Sequence, residues 1–172
     1  MKTYTKPQLN CILEKHAKWL RSECGGERAD LSSADLSYAD LRSADLRSAD
    51  LSCANLRSAE NLSPLQMARL SIVPEVGAFE GWKKCQGGVL VRLLIPATAK
   101  RSNAAGRKCR AEFVKVLEVI GGDVGVSART NAVKYAKGKT VKPGGWCEDR
   151  WKECAQGIHF FLTRAEAEDY QP

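Results

Sequence analysis

From Ala29 to Ser58 the sequence repeats every five residues, and no other feature constrains the fold as strongly. The six units read ADLSS, ADLSY, ADLRS, ADLRS, ADLSC and ANLRS, after which AENLS slips by one residue. On an α-helix a step of five turns each unit by about 140°, so the leucines spiral around the rod and form no stripe. On a flat strand an odd period sends successive leucines to opposite faces. Neither element can bury this pattern. A coil that turns a corner every five residues can, with each Leu and the Ala two before it pointing at the axis.

These units resemble the pentapeptide-repeat family, whose members form a right-handed quadrilateral β-helix, and the resemblance implies a short right-handed quadrilateral β-helix here. The likeness covers 30 of the 172 residues. It implies four repeats per coil, so that six make one and a half coils. With about 4.8 Å between coils the rod is under about 10 Å long. A stack this short needs caps. Thr5-Lys6-Pro7-Gln8 is a capping-box start. Leu9, Ile12, Leu13, His16, Ala17, Leu20 and Cys24 follow at helical spacing, and Gly25-Gly26 is the stop signal. This N-terminal helix is expected to lid the first coil, with His16 as a core histidine. Ser63-Pro64-Leu65-Gln66 opens a second, short helix ended by Pro74. The expected organisation is a capping helix at 1–28, a solenoid at 29–62, a short helix and linker at 63–78, and a small α+β domain at 79–172.

Charge is distributed unevenly. Residues 1–28 carry six Lys/Arg against three Asp/Glu, and the repeats carry three against five. Residues 59–172 carry eighteen against twelve. Some members of the pentapeptide family mimic DNA through long acidic rods. Here the rod is short, and Arg42, Arg47 and Arg57 alternate with its carboxylates, so DNA mimicry is disfavoured. A basic partner surface, if the chain has one, lies in the C-terminal part. The chain contains no apolar run long enough for a membrane span and no secretory h-region, so a cytoplasmic protein of a bacterial host is expected. Seven scattered cysteines without a C-x-x-C pair read as free thiols. The nearest approach to a zinc set, Cys147, Cys154 and His159, lacks the usual two-ligand knuckle. No metal and no cofactor is expected.

From Phe79 the texture changes to strands: Phe79–Cys85, Val89–Ile95 across Gly87-Gly88, Arg110–Ile120, Tyr135–Val141 and Gly157–Leu162. Thr163-Arg164-Ala165-Glu166 is a capping box for a final helix. Between the second and third strands runs Pro96–Arg110, with five basic residues and no acid. Lys100, Arg101, Ser102, Asn103, Arg107, Lys108 and Arg110 offer cations, hydroxyl and amide groups suited to a phosphate or carboxylate. It is not a Walker motif. A solvated basic loop is the plain alternative. His159, between Ile158 and Phe160, lies on the opposite strand face from those two and can stack on a planar base; a structural histidine is its plain alternative.

Residues 79–170 resemble an uncharacterised domain found downstream of pentapeptide repeats in phage and prophage proteins, through LLIPATAKRSNAAGRKCRAE and C-x-x-GIHFFLTRAEAE. That likeness implies a phage accessory protein. GIHFFLT with Ala165 and Ala167 also echoes an ADP-ribosyltransferase strand and helix, although His159 replaces that family's Tyr. No Ser-His-Asp, paired-carboxylate or Cys-His set emerges. The expected function is non-enzymatic. The solenoid assembles the chain, as a homo-oligomer, and the basic domain captures an anionic small molecule such as a nucleotide or cyclic nucleotide, sequestering a host defence signal. The alternatives are inhibition of a host protein through the pentapeptide face and an ADP-ribosyltransferase-like enzyme. Nucleic acid is a disfavoured partner, since no recognised module is present.

Overall fold

The computed structural model describes residues 1–51, 54–57, 62, 64–104, 106–130, 132–152 and 154–171. Cys53, Ala59, Ser63 and Ala105, which figure in the expectations above, lie outside the described residues. The chain divides into two compact units, Met1–Ile72 with Ala104–Gly106, and Val73–Asn103 with Arg107–Pro172. Among the described residues no helix is long and apolar enough to cross a membrane.

In the first unit the repeat backbone returns upon itself every twenty residues. Parallel bridges join Asp30 to Asp50 and Asp35 to Asn55. Each is closed by a pair of amide bonds, Leu31 N to Asp50 O at 2.8 Å and Asp50 N to Ala29 O at 2.9 Å in the first case. The corners follow from the repeated residues. Every Ala amide from Ala34 to Ala54 donates to the Leu carbonyl three residues earlier. Ser33, Tyr38 and Ser48, third in their turns, take φ of 56°, 65° and 61°, the left-handed conformation that a type II turn requires there. The second position of the unit has its own role. The Asp30, Asp35, Asp40 and Asp45 carboxylates, like the Asn55 amide oxygen, accept the backbone N–H two residues on. These are Asx turns, which favour Asp and Asn over other polar residues.

The axis is leucine. Leu31, Leu36, Leu41, Leu46, Leu51 and Leu56 are all buried, each contributing about 1.5–3 kcal/mol by removal from water. Ala29, Ala34 and Ala54 are buried with them. Ala39, Ala44 and Ala49 are only half-buried, a departure from the expectation that every Ala faces the axis.

Helix α1 (Lys6–Leu20) begins with the expected capping box, Thr5 and Gln8 each bonding the other's backbone. It stops well before Gly25-Gly26. Gly26 has a different reason to be glycine: a Cβ there would lie 2.4 Å from the Trp19 backbone nitrogen, because the chain doubles back over the helix end. His16 is fully buried. Its Nδ1 accepts the Ala29 N–H at 3.2 Å and its Nε2 lies 2.9 Å from the Arg47 carbonyl, which ties helix to repeats. Before α1, strand β1 (Lys2–Thr3) pairs in parallel with β2 (Ala34–Asp35). Helix α2 covers Pro64–Leu70.

The second unit is β-rich. Strands β3 (Phe79–Lys84), β4 (Leu90–Ile95), β7 (Val114–Ile120) and β10 (Thr140–Val141) form an antiparallel sheet in the order β10-β7-β4-β3. The β3–β4 hairpin turns at Gly87 and Gly88, both with positive φ, in the register Phe79–Ile95 to Lys84–Leu90. Strands β5 (Arg101–Asn103), β6 (Cys109–Ala111) and β11 (Ile158–Phe160) form a second antiparallel sheet in the order β11-β6-β5. The two sheets meet where Trp82 bridges Phe161, through bonds of 2.7 and 2.8 Å. Gly81 makes that approach possible, since a Cβ would come within 2.5 Å of the Phe160 ring. Strands β8 (Val124–Val126) and β9 (Lys134–Ala136) form a separate hairpin. Helix α3 (Arg164–Asp169) starts at the expected Thr163–Glu166 capping box.

Three sequence expectations change in this unit, the first being Tyr135–Val141, which is not one strand but β9 and β10 in different sheets. The apolar run Arg110–Ile120 is two strands, broken at Glu112-Phe113. The basic stretch Pro96–Arg110 is not one loop: its flanks pair as β5 and β6, with Arg101 opposite Ala111 and Asn103 opposite Cys109.

Candidate functional site

That pairing decides where the basic residues go. Arg101 turns back on its own segment and donates to the carbonyls of Gly77, Pro96, Ala97 and Ala99 while lying over the Phe79 ring. Arg110 is buried, with its guanidinium donating to the carbonyls of Cys147, Asp149 and Gln156 over the Trp146 face. Burial lowers its pKa from the ordinary arginine value, yet the three carbonyls hold the charge in place. Both side chains act as structural staples, tying together several backbone carbonyls, of which those of Pro96, Asp149 and Gln156 also accept a backbone N–H. Lys100 pairs with Glu148, and Arg107 with Glu166 of the α3 capping box. Ser102 lies in register with Arg110 and His159 across β5, β6 and β11, its buried hydroxyl lacking a hydrogen-bond partner among the described residues. Asn103 is buried. The eight residues therefore do not converge on one pocket.

Lys108 and His159 do come together, in a cleft of about 390 Å³ that lies wholly within the second unit. Its other cations are Lys83 and Lys84 from the end of β3 and Arg129 from the segment between β8 and β9. Tyr135, Tyr170, Ser127, Thr130, Cys154 and Gln156 complete the part of the wall that carries chemistry. None of the described lining residues is acidic.

The cations converge. Lys108 Nζ is 3.7 Å from Cys154 Sγ and 3.3 Å from the Tyr170 hydroxyl. An Arg129 guanidinium nitrogen donates to the same sulfur at 3.4 Å, and this contact raises the arginine pKa. Lys83 donates to the His159 carbonyl at 3.1 Å, with its ammonium 5.6 Å from the centre of the Tyr135 ring. Burial, chiefly, lowers the Lys83 pKa, while nearby Cys85 opposes the shift and Lys108 and Arg129 add to it. Burial raises the pKa of both neighbouring weak acids, Tyr135 and Cys85. Lys84 caps the end of α3 by donating to the carbonyls of Glu168 and Tyr170.

Cys154 and His159 both line this cleft, whereas Cys147 is engaged through its carbonyl with Arg110. Among the described residues no group of three or more His, Cys, Asp or Glu is placed to hold a metal ion. The residues that the sequence did not single out, Lys83, Lys84 and Arg129, come from two segments far apart in the chain. Only the surplus of positive charge after the repeats hinted at them.

Comparison with known proteins gives two family matches. A model for pentapeptide repeats (8 copies) matches residues 27–60. A model described as a family of unknown function (DUF5758) matches residues 70–167, more than half of the chain. No curated protein and no solved structure matches. A pentapeptide-repeat segment thus precedes a C-terminal domain of unknown function, and through that domain the chain belongs to the DUF5758 family.

Proposed function

We propose that the C-terminal domain is a non-enzymatic receptor that captures a nucleotide-like anion in the cleft bounded by Lys83, Lys108, Arg129 and His159. The observation that carries this reading is the convergence of three cations in a cleft whose described lining holds no carboxylate. Cations without a carboxylate partner among the described residues repel one another in a partly desolvated cleft, and an anion relieves that repulsion beyond what the Cys154 and Tyr170 contacts supply. The volume lies within the range of about 300–1,000 Å³ typical of small-molecule sites. His159 lies in the same wall, while the Tyr170 ring packs under the Lys108 ammonium and against Phe161 and so backs the cations. Holding is favoured over reacting because no carboxylate stands among the described lining residues to serve as a general acid or base, and burial raises the pKa of the lining Tyr135. Sequestration of a host defence signal by a phage accessory protein is a natural use for such a receptor. In this reading the repeats form a right-handed quadrilateral coil that assembles copies of the chain. The twenty-residue return supports four pentapeptides per coil.

The test is a thermal-shift and calorimetric screen against mononucleotides, cyclic dinucleotides, NAD and its cyclic derivatives. A ligand that binds only the folded state raises its stability by mass action, and a hit should weaken with salt. Arg129→Gln should reduce the shift. If folded protein shows no shift with any of these at millimolar concentration, the capture reading fails and inhibition through the repeat face replaces it.

A further inference from the structure

Resting on the anion-capture reading, we propose that the ligand carries a terminal phosphate monoester, whose two negative charges are held jointly by Lys83, Lys108 and Arg129. The cations are not spread along a groove. Lys108 and Arg129 approach one atom, Cys154 Sγ, at 3.7 and 3.4 Å, from strand-flanking segments that the fold brings together. A single tetrahedral group at that point can accept from both, with the guanidinium fork and the ammonium each reaching its own oxygen. Two phosphodiesters held apart by a sugar ring match this geometry less well, because each needs its own cationic subsite.

Charge balance points the same way. The titratable groups facing Lys83 are Cys85, Tyr135, Lys108 and Arg129. Burial raises the pKa of both weak acids, so neither supplies a counter-charge near neutral pH. The exposed cations Lys100 and Arg107 each have a carboxylate partner; these three have none among the described residues. A phosphodiester brings one charge per phosphate. A monoester brings nearly two at neutral pH, since its second pKa is about 6. The same charge also favours the ammonium form of Lys83, whose proton burial otherwise makes easier to lose.

The experiment compares the 5′-monophosphates of adenosine, guanosine, cytidine and uridine with their 3′,5′-cyclic counterparts and with inorganic phosphate, by calorimetry at pH 7.5 and pH 5. At pH 7.5 at least one monoester should bind about tenfold or more tightly than its cyclic form, the value of one additional charge-assisted contact. That ratio should fall toward one at pH 5, where the ester has taken up its second proton. Arg129→Gln and Lys83→Met should each cost the monoester about tenfold and the cyclic form much less. Site occupancy is read from iodoacetamide labelling of Cys154, which bound monoester should slow. The exposed Cys11 and Cys24 serve as internal controls in the same digest. Equal affinity for monoester and cyclic form, with Cys154 protected by both, overturns the monoester inference and leaves anion capture standing. No binding by any nucleotide or by phosphate at millimolar concentration overturns both, as does binding that leaves Cys154 labelling unchanged.

Discussion

Replacing His16 by Leu tests what fastens the N-terminal helix to the repeats. The imidazole is fully buried and stacks on Trp19, ring centres 5.6 Å apart and 13° from parallel. A backbone amide can only donate, so Nδ1 facing Ala29 N–H carries a lone pair, and the ring hydrogen sits on Nε2, directed at the Arg47 carbonyl. Leucine removes both bonds. The buried Ala29 amide and the partly buried Arg47 carbonyl together lose about 2–4 kcal/mol. The larger apolar surface of leucine offsets about 1 kcal/mol of this, which leaves a net loss of about 1–3 kcal/mol. The assay is urea unfolding followed by 19F NMR of fluorotryptophan-labelled protein. Trp19 is the one tryptophan of the first unit, so its resonance reports that unit apart from Trp82, Trp146 and Trp151. His16→Phe keeps the stacked ring and should lose as much as the leucine variant. If Phe restores full stability, or if Leu costs less than about 0.5 kcal/mol, the hydrogen bonds are not what holds the helix.

Leu41→Ala, at a fully buried axial position, should cost about 2–5 kcal/mol in the same Trp19-detected titration; a neutral result would mean that the leucines do not form a common core. Arg110→Lys gives up the fork that serves three carbonyls and should destabilise the second unit by about 2–4 kcal/mol. Lys100→Ala, which breaks an ion pair exposed on both sides, should leave stability almost unchanged; equal effects of the two by differential scanning calorimetry would contradict their assignment as staple and surface pair. Asp30 and Asp40 are held at about 2, below the usual 3.8, first by the side chains of Ser32 and Arg42 respectively and next by the backbone N–H groups of the same residues. Because the folded value is depressed, their contribution is intact above about pH 4 and is lost as the pH falls toward 2. Ser32→Ala should raise the Asp30 midpoint in a carboxyl 13C titration and leave Asp40 where it is.

What the sequence disclosed depended on the range of the interaction. The leucine axis, the Thr5–Gln8 and Thr163–Glu166 capping boxes and the Gly87-Gly88 hairpin are local, with signal and partner a few residues apart. Period five excluded helix and flat strand without reference to anything distant. Asp at the second position recurs in the pattern, but its Asx bond to the amide two residues on is visible only in the fold. The cleft was only partly legible. Lys108 and His159 stood out by their neighbours, but Lys83, Lys84 and Arg129 sit in strand ends and a connecting segment that look ordinary in sequence. Arg101 and Arg110 misled for the opposite reason. A cluster of arginines reads as free charge, yet these two point at backbone carbonyls that only the fold brings within their reach.

The bridge between Trp82 and Phe161 has a consequence for biosynthesis. The repeats close returns of twenty residues, so each bend can form soon after its partner emerges from the ribosome. The C-terminal domain cannot finish in that way. Its β3 strand presents an open edge from the time it is made until Phe161 arrives seventy-nine residues later. Long-range closures are slow, and unpaired edges recruit other chains. A chain halted anywhere before Phe161 would therefore carry a folded repeat segment joined to an adhesive half-sheet. Truncation from the C-terminus should yield aggregates, not a smaller soluble domain.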